Sequence, residues 1–199
     1  MWASESKRES ATLDPMQHLH LTQRHKGRLA PDDQLTARRR DRESVSSVRA
    51  ITPTGIDLAA TIGTYVLVLS SPRTARIAVG KRLRVTLEEG CYLYVGSAFG
   101  PGGLDARLRR HQRGDGRRRW HVDYLRAATT FVGAIVDRGS ERREHQWAAE
   151  LEACGEYATI PGFGCSDCRC TTHLFHAASA PASLANLLSG APRWWRPPR

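Results

Sequence analysis

Two tyrosine-glycine segments, Gly63-Thr64-Tyr65 and Tyr94-Val95-Gly96, precede an arginine and a histidine, Arg107 and His111, spaced four residues apart. Hydrolysis of a phosphodiester needs a water aimed in line with the leaving oxygen, a group to take its proton, and positive charge on the phosphorane-like oxygens. Tyr65 or Tyr94 can take that proton or aim that water. At i and i+4 of a helix, Arg107 and His111 project from one face, where a guanidinium fork can grip a phosphate. Further on, Glu144 offers a carboxylate, and magnesium is often held by just one or two protein carboxylates with water and substrate filling the rest of its shell. Each residue also has an ordinary reading: strand tyrosines pack in cores, and a glutamate beside Arg142 and Arg143 is a surface charge.

Two further groups invite chemistry. Cys165, Cys168, Cys170 and His173 are four soft ligands in nine residues, and Cys-x-x-Cys followed by His is a zinc-like spacing. Against zinc, four ligands from one short run with a Cys-x-Cys step strain a tetrahedron, and thiols also pack as small hydrophobes. Trp120 to Leu125 sets His121 and Asp123 among large apolar residues. They read either as a catalytic pair or as two satisfied polar groups in fixed packing. Cys168 with His173 as a nucleophilic pair is a third option.

These residues must be held by a core. Tyr65-Val66-Leu67-Val68-Leu69 is uninterrupted apolar sequence, as in a central strand buried on both faces. Ile77 to Val79 and Leu83 to Leu87 flank Gly80-Lys81 and read as a small hairpin inserted before the next core strand, Cys91 to Val95. After the glycines around Pro101, Leu104 and Leu108 predict a helix from Leu104 to Gln112, with Asp105 near its N-terminus. Phe131 to Val136 predicts a third strand, and Trp147, Leu151 and Cys154 predict a helix over Glu141 to Cys154. The fold class is mixed α+β: a small central, mainly antiparallel sheet flanked by helices, with an inserted hairpin.

The 199 residues carry a formal net charge of +10, unevenly spread. Residues 56–178 hold 17 Lys/Arg against 13 Asp/Glu, so the two ends supply more than half of the excess. Within the domain, Arg107, Arg109, Arg110, Arg113, Arg117, Arg118 and Arg119 crowd into thirteen residues with Asp115 as the lone acid among them. That patch suits bidentate phosphate contacts and salt-dependent binding to nucleic acid, or else it is a solvated loop. Residues 1–55 read as a disordered basic arm, with clusters such as Arg38-Arg39-Arg40 that either bind nucleic acid or lie idle. Residues 179–199 read as a flexible Pro/Trp/Arg tail. No apolar run approaches the roughly 18 residues of a membrane span, and no compact apolar leader is present, which predicts a cytoplasmic protein with no membrane partner. Five cysteines, three of them between Cys165 and Cys170, do not make a spaced disulfide framework.

Gly63-Thr64-Tyr65 and Tyr94-Val95-Gly96, followed by Arg107 and His111, resemble the two half-motifs and the Arg-bearing helix of the GIY-YIG nuclease superfamily. The run Tyr94 to Gly103, the segment Trp120 to Leu125, and Phe163 to Cys170 with His173-Leu174-Phe175 resemble more closely a small prokaryotic subgroup of unassigned function, sometimes fused to endonuclease III-type glycosylases. The resemblance spans about residues 60–176. It implies a metal-dependent endonuclease that hydrolyses DNA phosphodiesters, in repair or defence. In it, Tyr65 is or assists the general base, Tyr94 orients water or phosphate, Arg107 stabilises the transition state, and Glu144 holds a divalent metal, magnesium. His111 and His121 contact substrate or move protons, and the other six arginines of the patch track the nucleic-acid backbone. A non-catalytic nucleic-acid-binding module of the same fold and a zinc-stabilised interaction domain are the alternatives. Thr64 stands where that superfamily has Ile, and 28 residues separate Tyr65 from Tyr94, more than in its compact members.

Overall fold

The computed structural model describes residues 56–114 and 116–197, all within one compact unit, Ser46–Arg199. The expectations for residues 1–55 lie outside the described residues.

Eight strands and four helices follow one another along these residues. β1 is Gly63–Ser71, β2 Ala75–Val79, β3 Leu83–Leu87, β4 Gly90–Ala98, β5 Thr130–Arg138, β6 Ala158–Thr159, β7 Leu174–Ala177 and β8 Arg193–Trp195. The helices are α1, Gly103–Arg113; α2, His121–Arg126; α3, Glu144–Ala153; and α4, Leu184–Leu187. Six strands form one antiparallel sheet in the order β6-β7-β4-β1-β5-β8, while β2 and β3 pair with each other as a separate hairpin. The hairpin lies within the long stretch between Tyr65 and Tyr94, as expected.

β1 is central because its sequence is apolar on both faces. Its odd-numbered residues Tyr65, Leu67 and Leu69 join Tyr92 and Tyr94 of β4 on one face, packed against Leu104 and Leu108 of α1, Val122 and Leu125 of α2, and Val79, Val85 and Leu87 of the hairpin. Val66 and Val68 turn the other way, with Leu93, Val95 and Ile135, against Trp147, Ala148 and Leu151 of α3 and Leu184 of α4. Alternation along the strands thus divides the core into two apolar layers, one on each side of the sheet.

Two expectations are corrected. The helix expected from Glu141 starts at Glu144, because Arg143 is drawn out of helical register. Its Nε donates to Asp137 at 2.9 Å, its other guanidinium arm pairs with Glu141, and its backbone N–H donates to Thr64 Oγ1. The expected flexible tail is built into the domain. Arg193, Trp194 and Trp195 pair with Val136, Ile135 and Ala134, and Leu184, Leu188 and Trp195 are buried. The physical reason is the tail's own apolar content, which completes both layers of the core.

Candidate functional site

Tyr65 and Tyr94 reach the same face of the sheet through strand register. Tyr65 lies opposite Gly96 and Tyr94 opposite Leu67, so the two tyrosines stand on neighbouring strands two residues out of step. Gly96 is needed there: a Cβ at that position would sit 2.6 Å from the Tyr65 hydroxyl. Both rings are buried, Tyr65 at 2 % and Tyr94 at 9 % exposure. Tyr94 meets Phe163 edge-on, while the Tyr65 hydroxyl is hydrogen-bonded to His111 Nε2 at 3.0 Å.

α1 is anchored so that His111 meets Tyr65. Gly102 and Gly103 adopt φ values of 82° and 57°, which favour glycine, and let the chain turn directly from the end of β4 into the helix. The Leu104 N–H then donates to Thr61 O at 2.7 Å, tying the first turn to the entry of β1. Gly114, at φ 68°, closes the helix by donating its N–H to Arg110 O. His111 is buried at 1 % exposure, one turn beyond Arg107. Burial, with Arg107 and Arg110 nearby, pushes its pKa down to about 3, so the imidazole is neutral. Burial also raises the Tyr65 phenol, only partly offset by Arg107, and pushes Tyr94 well above the ordinary tyrosine value.

Arg107 lines a cleft of about 510 Å³ together with Arg110, Arg117, Arg119 and Trp120. Among the described residues no hydrogen bond or ion pair engages its guanidinium. The other arginines of the patch differ in commitment. Arg109 pairs with Asp105 at 2.8 Å, and Arg110 donates to Asp123 at 2.7 Å. Arg113, Arg117, Arg118 and Arg119 are exposed, with Arg118 over the Tyr124 ring and Arg119 over the Trp120 ring.

His121 and Asp123 turn to different partners. His121 Nδ1 accepts the Gly164 N–H at 3.0 Å, its ring packs edge-on against Phe163, and burial lowers its pKa. The Asp123 carboxylate accepts the backbone N–H groups of Arg119 and Trp120 at the start of α2, besides Arg110. Burial would raise its pKa, but these donors outweigh that and hold it below the usual carboxylate value.

Glu144, the first residue of α3, comes from the helix on the opposite side of the sheet from α1. It is nevertheless close enough to interact electrostatically with both tyrosines. Its Oε2 accepts the Ser97 hydroxyl at 2.5 Å, and its Oε1 lies 3.2 Å from His173 Nδ1. That second contact is at ion-pair distance, without a well-aligned hydrogen bond to Nδ1. Burial opposes the charged form of Glu144, yet the His173 and Ser97 contacts prevail and lower its pKa. His173 is the mirror case: burial lowers its pKa, and Glu144 more than reverses the shift.

Near Glu144 a further group gathers. His145, Cys168, Cys170 and His173 present ligand atoms that all lie within 4.8 Å of one another, and these four can hold a metal ion. His145 Nδ1 is 3.2 Å from Cys170 Sγ, and Cys168 Sγ is 3.4 Å from His173 Nε2. Cys165, expected among the ligands, stands outside the group, its Sγ directed at Phe163 O and Thr171 O. His145 takes its place. Nothing in the spacing of the cysteines points to it, since packing of α3 beside the loop before β7 is what brings it there.

Comparison with known proteins identifies one family, described as a domain of unknown function, DUF123, whose match covers residues 64–192. No curated protein matches the chain, and no solved structure does.

Proposed function

We propose that this chain, which belongs to the DUF123 family, is a metal-dependent endonuclease of the GIY-YIG type that hydrolyses phosphodiester bonds of DNA. The observation that carries this reading is the position of Arg107. Arg107, whose guanidinium no hydrogen bond or ion pair engages among the described residues, lines an arginine-walled cleft one helical turn from a hydrogen-bonded Tyr65–His111 pair. An anion in that cleft meets several guanidinium forks at once, and charge developing on phosphate oxygens is stabilised where donors are already fixed.

The proton path follows from the protonation states. Tyr65 is protonated and His111 neutral. In the tautomer with Nε2 bare, Tyr65 donates to His111 and keeps oxygen lone pairs with which to accept from a water. Tyr65 thereby aims the water and assists its deprotonation, while the proton itself leaves to a phosphate oxygen or to solvent, because His111 beside Arg107 and Arg110 stays neutral. Arg107 favours negative charge on the phenol oxygen and so strengthens its hold on that water.

Glu144 fits a hard cation. It is ionised, its side chain is 24 % exposed, and each oxygen retains a lone pair after its contact with Ser97 or His173. A magnesium ion there would supply Lewis-acid charge to the phosphate, needing few protein ligands. Ser97 and His173 fix the direction of the carboxylate. Tyr94 and His121 pack against the same Phe163 ring.

The burial of both tyrosines favours a second reading, a nucleic-acid-binding module of this fold without turnover. Nicking of supercoiled plasmid decides between them. The endonuclease reading expects magnesium-dependent nicking that falls by roughly 10²-fold or more in Tyr65→Phe, Arg107→Ala and Glu144→Ala. Salt-sensitive DNA binding with no nicking by the wild-type chain would establish the second reading. Nicking equal in wild type and all three variants would overturn the assignment of the site.

A further inference from the structure

The four-residue group beside Glu144 differs from the cysteine cluster read along the chain in one respect that decides its chemistry. Cys165, Cys168, Cys170 and His173 come from one short loop, whereas His145 comes from α3, so the observed group joins two separated segments. Only three ligands, with the Cys168-x-Cys170 step among them, now come from the short run, and the fourth is supplied from outside it.

We propose that His145, Cys168, Cys170 and His173 form a closed four-ligand site for a zinc-class divalent ion that clamps the loop before β7 onto α3. Two thiolates with two imidazoles are the donor set that selects zinc among common divalent ions. A tetrahedron with Zn–S near 2.3 Å and Zn–N near 2.0–2.1 Å has a nitrogen-to-sulfur edge of about 3.6 Å. The His145–Cys170 and Cys168–His173 separations, 3.2 and 3.4 Å, are close to that edge.

The loop is already shaped to deliver its three ligands. The His173 N–H donates to Phe163 O at 2.8 Å, Gly162 N–H to Thr171 O at 2.9 Å, and Thr172 Oγ1 to Ile160 O at 2.6 Å. Gly164, at φ 81°, lets the loop close on itself, since a Cβ there would lie 2.9 Å from the His173 Cβ.

The surroundings also match what metal-bound histidines need. With Nε2 of His173 on the ion, Nδ1 must carry the proton, and Glu144 Oε1 stands 3.2 Å away to receive it. Nδ1 is buried, and the Glu144 carboxylate stands at ion-pair distance from it. Glu144 is then a positioning residue for this ion, acting through His173. The site stands independently of whether DNA is cleaved.

Metal analysis of the full chain, purified with reductant and without chelator, tests the site. About one equivalent of zinc is expected, falling below about a tenth in His145→Ala and in Cys168→Ser, with Cys165→Ser retaining the full equivalent. Loss of zinc in Cys165→Ser, or full occupancy in His145→Ala, overturns the ligand set. Should the ligand variants fail to fold, cobalt(II) titration of the wild-type chain still decides. Visible bands of a tetrahedral thiolate complex that saturate at one equivalent and are displaced by zinc support the site; no such bands overturn it. Mapping of alkylated thiols adds a separate readout. Zinc is expected to protect Cys168 and Cys170 while leaving Cys165 reactive. Rapid alkylation of Cys168 alone, unaffected by zinc, would assign that thiol to a nucleophilic pair with His173 and overturn the metal site.

Discussion

His111 couples the candidate site to pH. Its folded-state pKa, about 3, lies below the ordinary value of 6.5 because burial and neighbouring arginines disfavour the imidazolium. Above about pH 6.5 the side chain is neutral folded or unfolded, and its contribution to stability is fully present. Below that, the unfolded chain takes up a proton that the folded chain refuses, so stability falls as pH drops toward 3. By pH 5 the loss is on the order of 2 kcal/mol. Thermal unfolding between pH 7 and 4.5 is expected to show this decline, and His111→Gln to flatten it. A wild-type and variant decline of the same slope would refute the burial-driven shift. At this scale the sequence was partly legible. The i, i+4 spacing of Arg107 and His111 marked a shared helix face, but not that His111 would be buried against Tyr65. Nor did any spacing mark His145, whose role arises from tertiary packing alone.

Among the elements, the strands were legible because their composition leaves little choice. An apolar run such as Tyr65 to Leu69 is stable only when covered on both faces, and β1 is covered on both. The tail was misread because its apolar residues are scattered between prolines and arginines and show no period of their own. They are ordered by the domain: the Trp147 indole N–H donates to Ser189 O at 2.9 Å, and the Ser189 N–H to Glu150 Oε2 at 3.0 Å. Removing residues 179–199 exposes the surfaces covered by Leu184, Leu188 and Trp195. Each such side chain contributes about 1.5–3 kcal/mol by burial, so the truncated chain is expected to unfold at markedly lower urea or to be insoluble. An unchanged urea midpoint would restore the flexible tail.

For the whole molecule, the question is how much of the positive charge is free to meet an anion. Among the described residues, Arg109 pairs with Asp105 and Arg110 with Asp123. Arg117 and Arg119 instead wall the cleft and are exposed. If they contact backbone phosphates of DNA, the double substitution Arg117→Ala with Arg119→Ala reduces the slope of log affinity against log salt by about 1 per residue. A fluorescence-anisotropy titration at several salt concentrations measures it, and an unchanged slope would remove both residues from the interface. The sequence displayed the basic patch plainly. It could not separate spent charge from available charge, because Asp123 neutralises Arg110 from a different helix. Among the described residues no helix is long and apolar enough to cross a membrane.

The sheet order has one more consequence. Its three long strands, β1, β4 and β5, lie inside, and among the described residues its rims are β6 and β8, of two and three residues. An outermost strand that short exposes too few backbone donors and acceptors to template a neighbouring chain. The pairing of Arg193–Trp195 with β5 covers the middle of that strand's outer edge, Ala134 to Val136, and so shortens the run of backbone open to strand addition.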